Sequence, residues 1–363
     1  MKRRDFIVKG TAGAFAAGMA GCAGGVKHMD IHKSDIRYSD YKFEATIQKP
    51  AGGTLPVKEI GTTGIKVPQF GFGSHMRKDI TKNFNDRQKI IREAYDYGVR
   101  LFDVYDKEHE VYQYEPIGKQ LKPMINDVAI SIALLPYDGR TFEQEFERDL
   151  RVFGRDHIDL VRIHVRDPKS KEWDRWEQLF KWKEQGKIRA VGVPIHNVKD
   201  LDNIIDTLPI DYVLFPYNFY HNVVWHGHEG DNYETLPKTL RRKGIGVLTM
   251  KAFAGDPLQA PFRDIADKIN DNPDIDYNRA ALKFVINSPV DPDATVTGMY
   301  NMDHLYNNLR AYFDPEMSRE EAELLEKVRK TARIVAKYHL PNHYKFLEDW
   351  AYAESSMKKF GMV

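Results

Sequence analysis

The sequence predicts an α/β protein of the (β/α)8 TIM-barrel class, with an N-terminal β-hairpin and a helical C-terminal tail. Two features predict this fold. Eight short apolar runs, rich in β-branched residues, alternate with segments of helical periodicity over about 240 residues. Hydrophobic residues also make up 42% of the 363 residues, which is enough for the core of one large domain. Such an alternation is typical of a parallel barrel in which each strand is followed by a helix.

The predicted elements follow one another in a regular order. The expected strands are 69–73, 101–104, 128–132, 158–164, 188–193, 212–215, 246–250 and 294–298, and the amphipathic stretches between them include 86–97, 142–153, 173–185 and 279–286. A preceding hairpin is predicted over 57–67, with Gly61 and Gly64 serving its turn. We expect the barrel to occupy residues 55–317. Residues 318–363 should form a mostly helical extension that packs on the barrel or over one mouth.

Residues 1–25 predict an export signal. Arg3 and Arg4 precede an apolar stretch over 6–20, and Met19-Ala20-Gly21-Cys22 closes it. Paired arginines in this setting resemble a twin-arginine signal, and the closing run resembles a lipobox whose cysteine is lipidated. We therefore expect the export machinery to deliver the protein to the periplasm or cell envelope. A lipid on Cys22 would then anchor it to the membrane through a polar tether, residues 26–54. The alternative is a disordered N-terminus in which the cysteine is incidental.

Composition excludes several classes of protein. The 54 basic and 53 acidic residues leave a net charge of +1, and the basic residues are dispersed, so no nucleic-acid partner is expected. Cys22 is the single cysteine, which excludes an intrachain disulfide framework and cysteine-rich metal sites. After residue 25 no apolar run approaches the ~20 residues needed to span a bilayer.

Short motifs occur along the predicted barrel in a characteristic order. They are Ile60–Pro68 with Gly71-Phe72-Gly73, Phe102-Asp103, Asp159-Leu160 with His164, Gly186–Val193, Pro216-Tyr217-Asn218, Gly298-Met299 and Asn307-Asn308-Leu309. In this order and spacing they resemble the aldo-keto reductases over about residues 55–312. The resemblance implies an oxidoreductase that uses NADP(H) or NAD(H) and acts on a small carbonyl, alcohol or sugar-like substrate.

The resemblance also implies three catalytic residues. In the family a tyrosine hydroxyl supplies the proton, an aspartate–lysine pair lowers the pKa of that tyrosine, and a histidine orients the carbonyl. Asp103 and His164 stand at the family positions of the aspartate and the histidine, and Tyr112 is the candidate for the tyrosine. Glu108 occupies the usual position of the tyrosine. Tyr105, which shares a strand face with Asp103, therefore remains an alternative to Tyr112 as the acid.

The lysine of the family is missing from its expected place. Ile132-Ala133 stands near the end of the third predicted strand, where the lysine is expected. Its loss removes the positive charge that would lower the pKa of the tyrosine. Lys107, in an apparent insertion, and Lys251, after the seventh strand, are the candidates for a compensating charge.

The cofactor groove is implied by family position as well. The residues expected to line it are Asn218, Lys251, Gly298, Met299, Tyr300 and Asn308. Three departures bear on it. Pro194-Ile195 replaces the Ser-Asn pair that would hold the nicotinamide amide, and Leu214 replaces a glutamine. Tyr300 replaces the cation that would pair with the 2′-phosphate of NADP(H).

Two other classes of function remain open. Histidines follow or end several predicted strands, at positions that converge on the catalytic face of a barrel: His75, His109, His164, His196 and His221, with His226 and His228 in the loop after the sixth strand. Such a set could hold a metal ion, as in a metal-dependent hydrolase or isomerase, although we assign no metal ligand. The second class is a barrel that binds a small molecule without catalysis.

Overall fold

Eight parallel strands close into a barrel in this computed structural model, which describes residues 45–74, 84–104, 110–135, 139–163, 173–195, 201–219, 235–253 and 256–339. The predicted TIM-barrel fold is therefore confirmed. The strands are β1 (Val57–Glu59), β2 (Lys66–Pro68), β3 (Phe70–Gly73), β4 (Leu101–Val104), β5 (Ala129–Ala133), β6 (Ile158–Arg162), β7 (Ile188–Pro194), β8 (Tyr212–Pro216), β9 (Gly246–Met250) and β10 (Ala294–Gly298). Around the barrel the order runs from β3 to β10, which pairs with β3.

Helices separate the strands of the barrel. They are α1 (Phe84–Asp96), α2 (Glu110–Leu121), α3 (Phe142–Phe153), α4 (Trp173–Glu184), α5 (Leu201–Thr207), α6 (Thr235–Arg242), α7 (Asp256–Ile269), α8 (Tyr277–Ile286), α9 (Met302–Phe313) and α10 (Arg319–His339), with a 3-10 helix at Lys122–Asp127. Local signals define some ends. The Thr141 hydroxyl accepts from the amide of Gln144 before α3, and Gly154, at φ 64°, ends that helix.

The barrel has two apolar layers, because each strand is buried on both faces. Inside, the side chains of alternate strand residues pack together, including Leu101, Leu160 and Leu248. Outside, the other residues of the strands, such as Phe102 and Val161, pack against the helices in a larger cluster. Alternation along a strand therefore decides which side chains point into the barrel.

The predicted N-terminal hairpin is confirmed as β1 paired antiparallel with β2. Its residues Ile60 and Ile65 join the apolar cluster inside the barrel. Gly61 lies at φ 52°, and a Cβ there would collide with the carbonyl of Gly244, so the close approach to the barrel requires glycine. The carboxylate of Asp293 accepts hydrogen bonds from Gly61 and Val247, at 3.1 and 2.8 Å. The hairpin is thereby joined to the ends at which β9 and β10 begin.

The segment just before the hairpin packs on the barrel. We call residues 45–55 the N-terminal strap. Both oxygens of the Asp303 carboxylate, in the first turn of α9, accept hydrogen bonds from Thr46, and the amide of Ile47 donates to it at 2.9 Å. The Tyr97 hydroxyl donates to the Pro50 carbonyl at 2.6 Å. The end of the predicted tether is thus docked, while residues 26–44 and the predicted signal lie outside the described residues.

The C-terminal extension begins with α10, which packs on the side of the barrel. Its residues Leu324, Leu325 and Val328 pack with α7 and α8. The buried Lys283 of α8 donates to the Glu316 carbonyl at 2.7 Å and pairs with Glu321 of α10 at 3.4 Å. Residues 340–363 lie outside the described residues. Within the described part of the chain, no helix has the length and apolar character needed to cross a bilayer.

Candidate functional site

One of the three predicted catalytic side chains is described by the structure. Asp103 is the third residue of β4, at the end where active sites of parallel barrels lie. Tyr112 lies in the first turn of α2, but its side chain is outside the described residues, as are Tyr105 and His164 entirely. Lys107 is also outside them. The roles of these four residues stay predictions.

The carboxylate of Asp103 is buried and fully engaged. Only 5% of the residue is exposed. The Ser131 hydroxyl, on the neighbouring strand β5, donates to its Oδ1 at 2.6 Å. The backbone carbonyl of Asp103 also accepts from the amide of Ser74, just past the end of β3, at 2.8 Å. A buried carboxylate needs such partners, because an unpaired charge in the interior is strongly disfavoured.

Arg162 provides the opposite charge to Asp103. Its guanidinium donates from Nη1 to Oδ1 at 2.5 Å and from Nη2 to Oδ2 at 3.0 Å, so the two side chains form a bidentate ion pair. Nη1 also donates to the Ser131 hydroxyl at 2.8 Å. Burial lowers the pKa of Arg162, but the charge and hydrogen bonds of Asp103, together with two nearby tyrosines, outweigh burial, so the net direction is upward and the guanidinium stays charged. We call Asp103, Ser131 and Arg162 the Asp103 cluster.

The sequence analysis did not identify Arg162. A signal for it was present, because Leu160 and Arg162 are two residues apart on a predicted strand and must therefore share one face of it. In the structure Leu160 and Arg162 are both buried, and Leu160 belongs to the cluster inside the barrel. A charged residue on that face has to find a partner within the barrel.

Tyr212 lies beside the Asp103 cluster inside the barrel. It is the first residue of β8 and is fully buried. Its hydroxyl lies beside Arg162 and Ser131, although no hydrogen bond of good geometry joins them. Burial raises the pKa of Tyr212 far above its ordinary value, although the nearby charge of Arg162 opposes this. The ring covers Gly192, where a Cβ would lie 2.6 Å from Cδ1 and closer still to Cε1 and Cζ. Gly192 therefore leaves the space that the ring fills.

The predicted cofactor residues at the end of β10 divide into exposed and buried ones. Gly298 is exposed, Met299 is buried and Tyr300 is half-buried. The amide of Tyr300 donates to Nδ1 of His304 at 3.3 Å. Asn308, in α9, is buried, and its side chain donates to the Thr297 hydroxyl at 3.4 Å. Asn308 thus contacts β10 through Thr297, while Gly298 and Tyr300 are accessible to solvent.

Asn218 and Lys251, two of the predicted cofactor residues, lie next to each other. The buried side chain of Asn218 donates to the backbone carbonyl of Lys251 at 3.2 Å. Lys251 is half-buried and has a φ of 58°, which is uncommon for a residue with a Cβ. The hydrogen bond from Asn218 helps to hold this backbone conformation.

Arg87 is a further buried residue that the sequence analysis missed. From α1 it donates through Nη1 to the carbonyl of Met299 at 2.7 Å and through Nη2 to that of Ser74 at 2.8 Å. Its guanidinium also lies 4.7 Å from the centre of the Phe72 ring. Arg87 therefore joins the ends of β3 and β10, next to the exposed Gly298.

Metal-binding geometry does not occur among the residues that the structure describes, where no three histidine, cysteine, aspartate or glutamate side chains converge. The seven histidines of the metal hypothesis all lie outside those residues. The hypothesis of a metal-dependent hydrolase or isomerase therefore stays a prediction, as does that of a non-catalytic binding barrel.

Comparison with protein families agrees with this arrangement. The family model described as aldo/keto reductase matches residues 69–330. The chain belongs to the aldo/keto reductase family. That stretch spans the barrel from the start of β3 into α10 and includes Asp103, Arg162 and Tyr300.

Several curated relatives of the chain have named activities. A methylglyoxal reductase of Yersinia pestis is 29% identical over 150 residues, which cover 39% of this chain and 50% of that protein. A glyoxal reductase of Bacillus subtilis is 27% identical over 148 residues, with coverage of 39% and 50%. L-Galactose dehydrogenase of Arabidopsis thaliana is 23% identical over 220 residues, with coverage of 55% and 66%. The chain spans about half the length of most of these relatives.

Solved structures share the fold at low sequence identity. The holo form of an aldo-keto reductase from Bacillus halodurans matches with a TM-score of 0.60 and 16% identity, over 76% of this chain and 96% of that one. A thermostable aldo-keto reductase in complex with the inhibitor epalrestat matches with a TM-score of 0.56 and 19% identity, over 76% and 100%. At such identities the likeness concerns the fold alone.

Proposed function

We propose that this protein transfers a hydride between a nicotinamide dinucleotide, NADP(H) or NAD(H), and a small carbonyl or alcohol substrate. The observation that carries the proposal is the buried carboxylate of Asp103, ion-paired to Arg162 at the end of a barrel strand. A buried ion pair at this end of a parallel barrel is more typical of catalysis than of stability. Membership of the aldo/keto reductase family supports the same reaction class.

The residues at the mouth fit the anionic part of such a cofactor. Gly298 is exposed and has no side chain to keep a phosphate from the backbone. The N-terminus of α9 follows three residues later, with Asn301 as its cap, and a helix N-terminus favours anions. Lys251 supplies a half-buried cation. When bound, the dinucleotide supplies the hydride, and the chain supplies orientation and charge.

The proton in this reaction is handled by the chain. We assign the proton donor to the Tyr112 hydroxyl, with Tyr105 as the alternative, and orientation of the carbonyl to His164. Asp103 would act on the proton donor and not on the substrate directly, because Ser131 and Arg162 occupy its buried carboxylate. A tyrosine with an ordinary pKa near 10 is a poor acid–base at neutral pH, so the charges around it govern the rate.

Small aldehydes are the first substrates to test, since two relatives are named for methylglyoxal and glyoxal. L-Galactose tests the oxidation of an alcohol. We would titrate purified protein with NADPH and NADH by calorimetry, then follow consumption of the bound form with each aldehyde. Stoichiometric binding with turnover is expected. A protein that binds neither dinucleotide would contradict the proposal.

A pair of variants on α2 tests the assignment of the acid. Tyr112→Phe should lower kcat by about 10²–10⁴-fold, the usual contribution of general acid catalysis. Tyr114→Phe is the matched control, because Tyr114 lies on the same helix with its hydroxyl buried, 3.5 Å from the Ala133 carbonyl, and should keep its rate. If Tyr112→Phe is fully active and Tyr105→Phe is not, the acid is Tyr105.

We also propose that the protein is exported and anchored to a membrane of the cell envelope. The paired arginines and the lipobox-like run ending in Cys22 support this. Fractionation of cells should find the protein with the membranes, and Cys22→Ser should release it. Wild-type protein that remains in the cytosol would refute the proposal.

A further inference from the structure

Arg162 holds a distinctive place among the cations of the protein. The buried cations of the described residues are Arg87, Arg162 and Lys283, and of these only Arg162 lies on a barrel strand. It ends β6 and is 1% exposed. Its partner Asp103 lies on β4, 59 residues earlier in the chain. The guanidinium therefore crosses β5 inside the barrel to reach the carboxylate.

The inward residues of β5 leave room for this crossing. Ser131 pairs in register with Asp103, and Ala133 pairs with Arg162. Neighbouring strands lie about 4.8 Å apart, so Asp103 and Arg162 start from backbones about 10 Å apart. The long arginine side chain spans that distance only if the side chains between are short. A lysine at position 133 would enter the same space and set a second cation beside the guanidinium.

We propose that Arg162 is a positioning residue of the reaction: from the fourth barrel strand it supplies the positive charge beside Asp103 that a lysine on the third strand would otherwise supply. The inference rests on the proposed reductase function. It assigns the compensating charge to Arg162 instead of Lys107 or Lys251. The bidentate pair with Asp103 and the hydrogen bond to the Ser131 hydroxyl hold the guanidinium in one orientation.

The guanidinium also reaches the end of β4. Its Nη2 lies 3.5 Å from the carbonyl of Val104, the last residue described before the segment that leads to α2. Tyr105 follows directly, and Tyr112 lies in the first turn of that helix. A fixed cation within about 4–6 Å of a phenol favours its ionised form and typically lowers its pKa by about 1–3 units. In our proposal the phenol of Tyr112, or of Tyr105, lies within reach of this charge, and Arg162 acts on the acid without touching the substrate.

The test relocates the charge. Arg162→Met removes the positive charge beside Asp103. Arg162→Lys keeps a positive charge there but replaces the bidentate guanidinium with a single ammonium group. Ala133→Lys combined with Arg162→Met moves the charge to the third barrel strand. Arg189→Met is the matched control, because Arg189 is also a strand arginine paired to an aspartate, Asp159 at 2.7 Å, but at the opposite end of the barrel. Far-ultraviolet circular dichroism first establishes that each variant is folded.

Two readouts follow, and the first needs no cofactor. Carbon NMR of protein labelled at the tyrosine ζ-carbon gives the pKa of Tyr112, whose signal is identified by its loss in Tyr112→Phe. We expect this pKa to rise by about one unit or more in Arg162→Met and to return in the relocated variant. The second readout is kcat, which should fall by about 10²-fold or more in Arg162→Met and recover partly on relocation, with dinucleotide affinity changed by less than about threefold. Arg189→Met should match the wild type in both.

The outcomes separate the inference from the proposed function. A folded Arg162→Met protein with wild-type kcat and tyrosine pKa overturns the inference alone. If Arg162→Met does not fold, the relocated variant decides: a folded protein with lowered tyrosine pKa and restored turnover supports the inference, and a folded protein with neither overturns it. Wild-type protein that binds no dinucleotide and reduces no carbonyl overturns the proposed function. The tyrosine titration then still tests whether the charge of Arg162 lowers the pKa of Tyr112.

Discussion

Replacing Gly192 by alanine tests how closely the interior of the barrel is packed around the Asp103 cluster. The added Cβ would lie 2.6 Å from Cδ1 of Tyr212 and closer to two other ring atoms, whereas carbon atoms in contact are normally about 3.5–4.0 Å apart. The ring must therefore move by about 1 Å. It is fully buried, and its strand pairs with β7 on one side and β9 on the other, so the movement has to be shared by the strands.

We expect Gly192→Ala to lower the free energy of unfolding by about 1–3 kcal/mol, the usual range for overpacking in a core. Urea unfolding followed by tryptophan fluorescence measures it, and a loss of this size should also lower the Tm by about 2–4 °C per kcal/mol. Gly71→Ala is the matched control. Its Cβ would meet the flexible end of Leu101 at 3.1 Å, which can give way, so a change under about 1 kcal/mol is expected.

A double-mutant cycle isolates the contact between Gly192 and Tyr212. In a Tyr212→Leu background most of the effect of Gly192→Ala should vanish, which gives a coupling energy of about 1–3 kcal/mol. Two results would refute the reasoning. One is a Gly192→Ala protein within about 0.5 kcal/mol of the wild type, and the other is an equal loss in both backgrounds.

Two further predictions concern the strap and the C-terminal helix. Burial pushes the pKa of Asp303 upward, but hydrogen bonds from Thr46 and Ile47 hold it below its ordinary value, so its contribution is present above about pH 4 and is lost as the pH falls through the lowered pKa. Asp303→Asn should therefore cost about 1 kcal/mol in urea unfolding at pH 7 and progressively less as the pH falls below about 4; a loss that does not change with pH would contradict this. Lys283→Met should cost about 3–5 kcal/mol, because it leaves the buried Glu321 without its cation, and adding Glu321→Gln should recover part of the loss. A single variant as stable as the wild type would show that α10 docks without this pair.

Much of the fold could be predicted because its signals are local. The predicted strand over 246–250 agrees with β9 at both ends, and the predicted first strand starts within one residue of β3. Apolar runs and helical periodicity depend only on residues near one another in the chain. The predicted turn of the hairpin also holds, since Gly61 and Gly64 both have positive φ. Asp103 could be identified because the end of a barrel strand is itself visible in the sequence.

The sequence by itself thus determined the barrel, its hairpin and the position of Asp103. Only the tertiary structure decided what surrounds that carboxylate. Arg162 reaches it from two strands away, and Arg87 of α1 bonds to the carbonyl of Met299, which lies 212 positions later in the chain. The physical reason is that closure of the barrel sets the register between strands, and the register decides which inward side chains meet. Alternation along one strand can place Arg162 inside the barrel, but no local pattern shows that it meets Asp103.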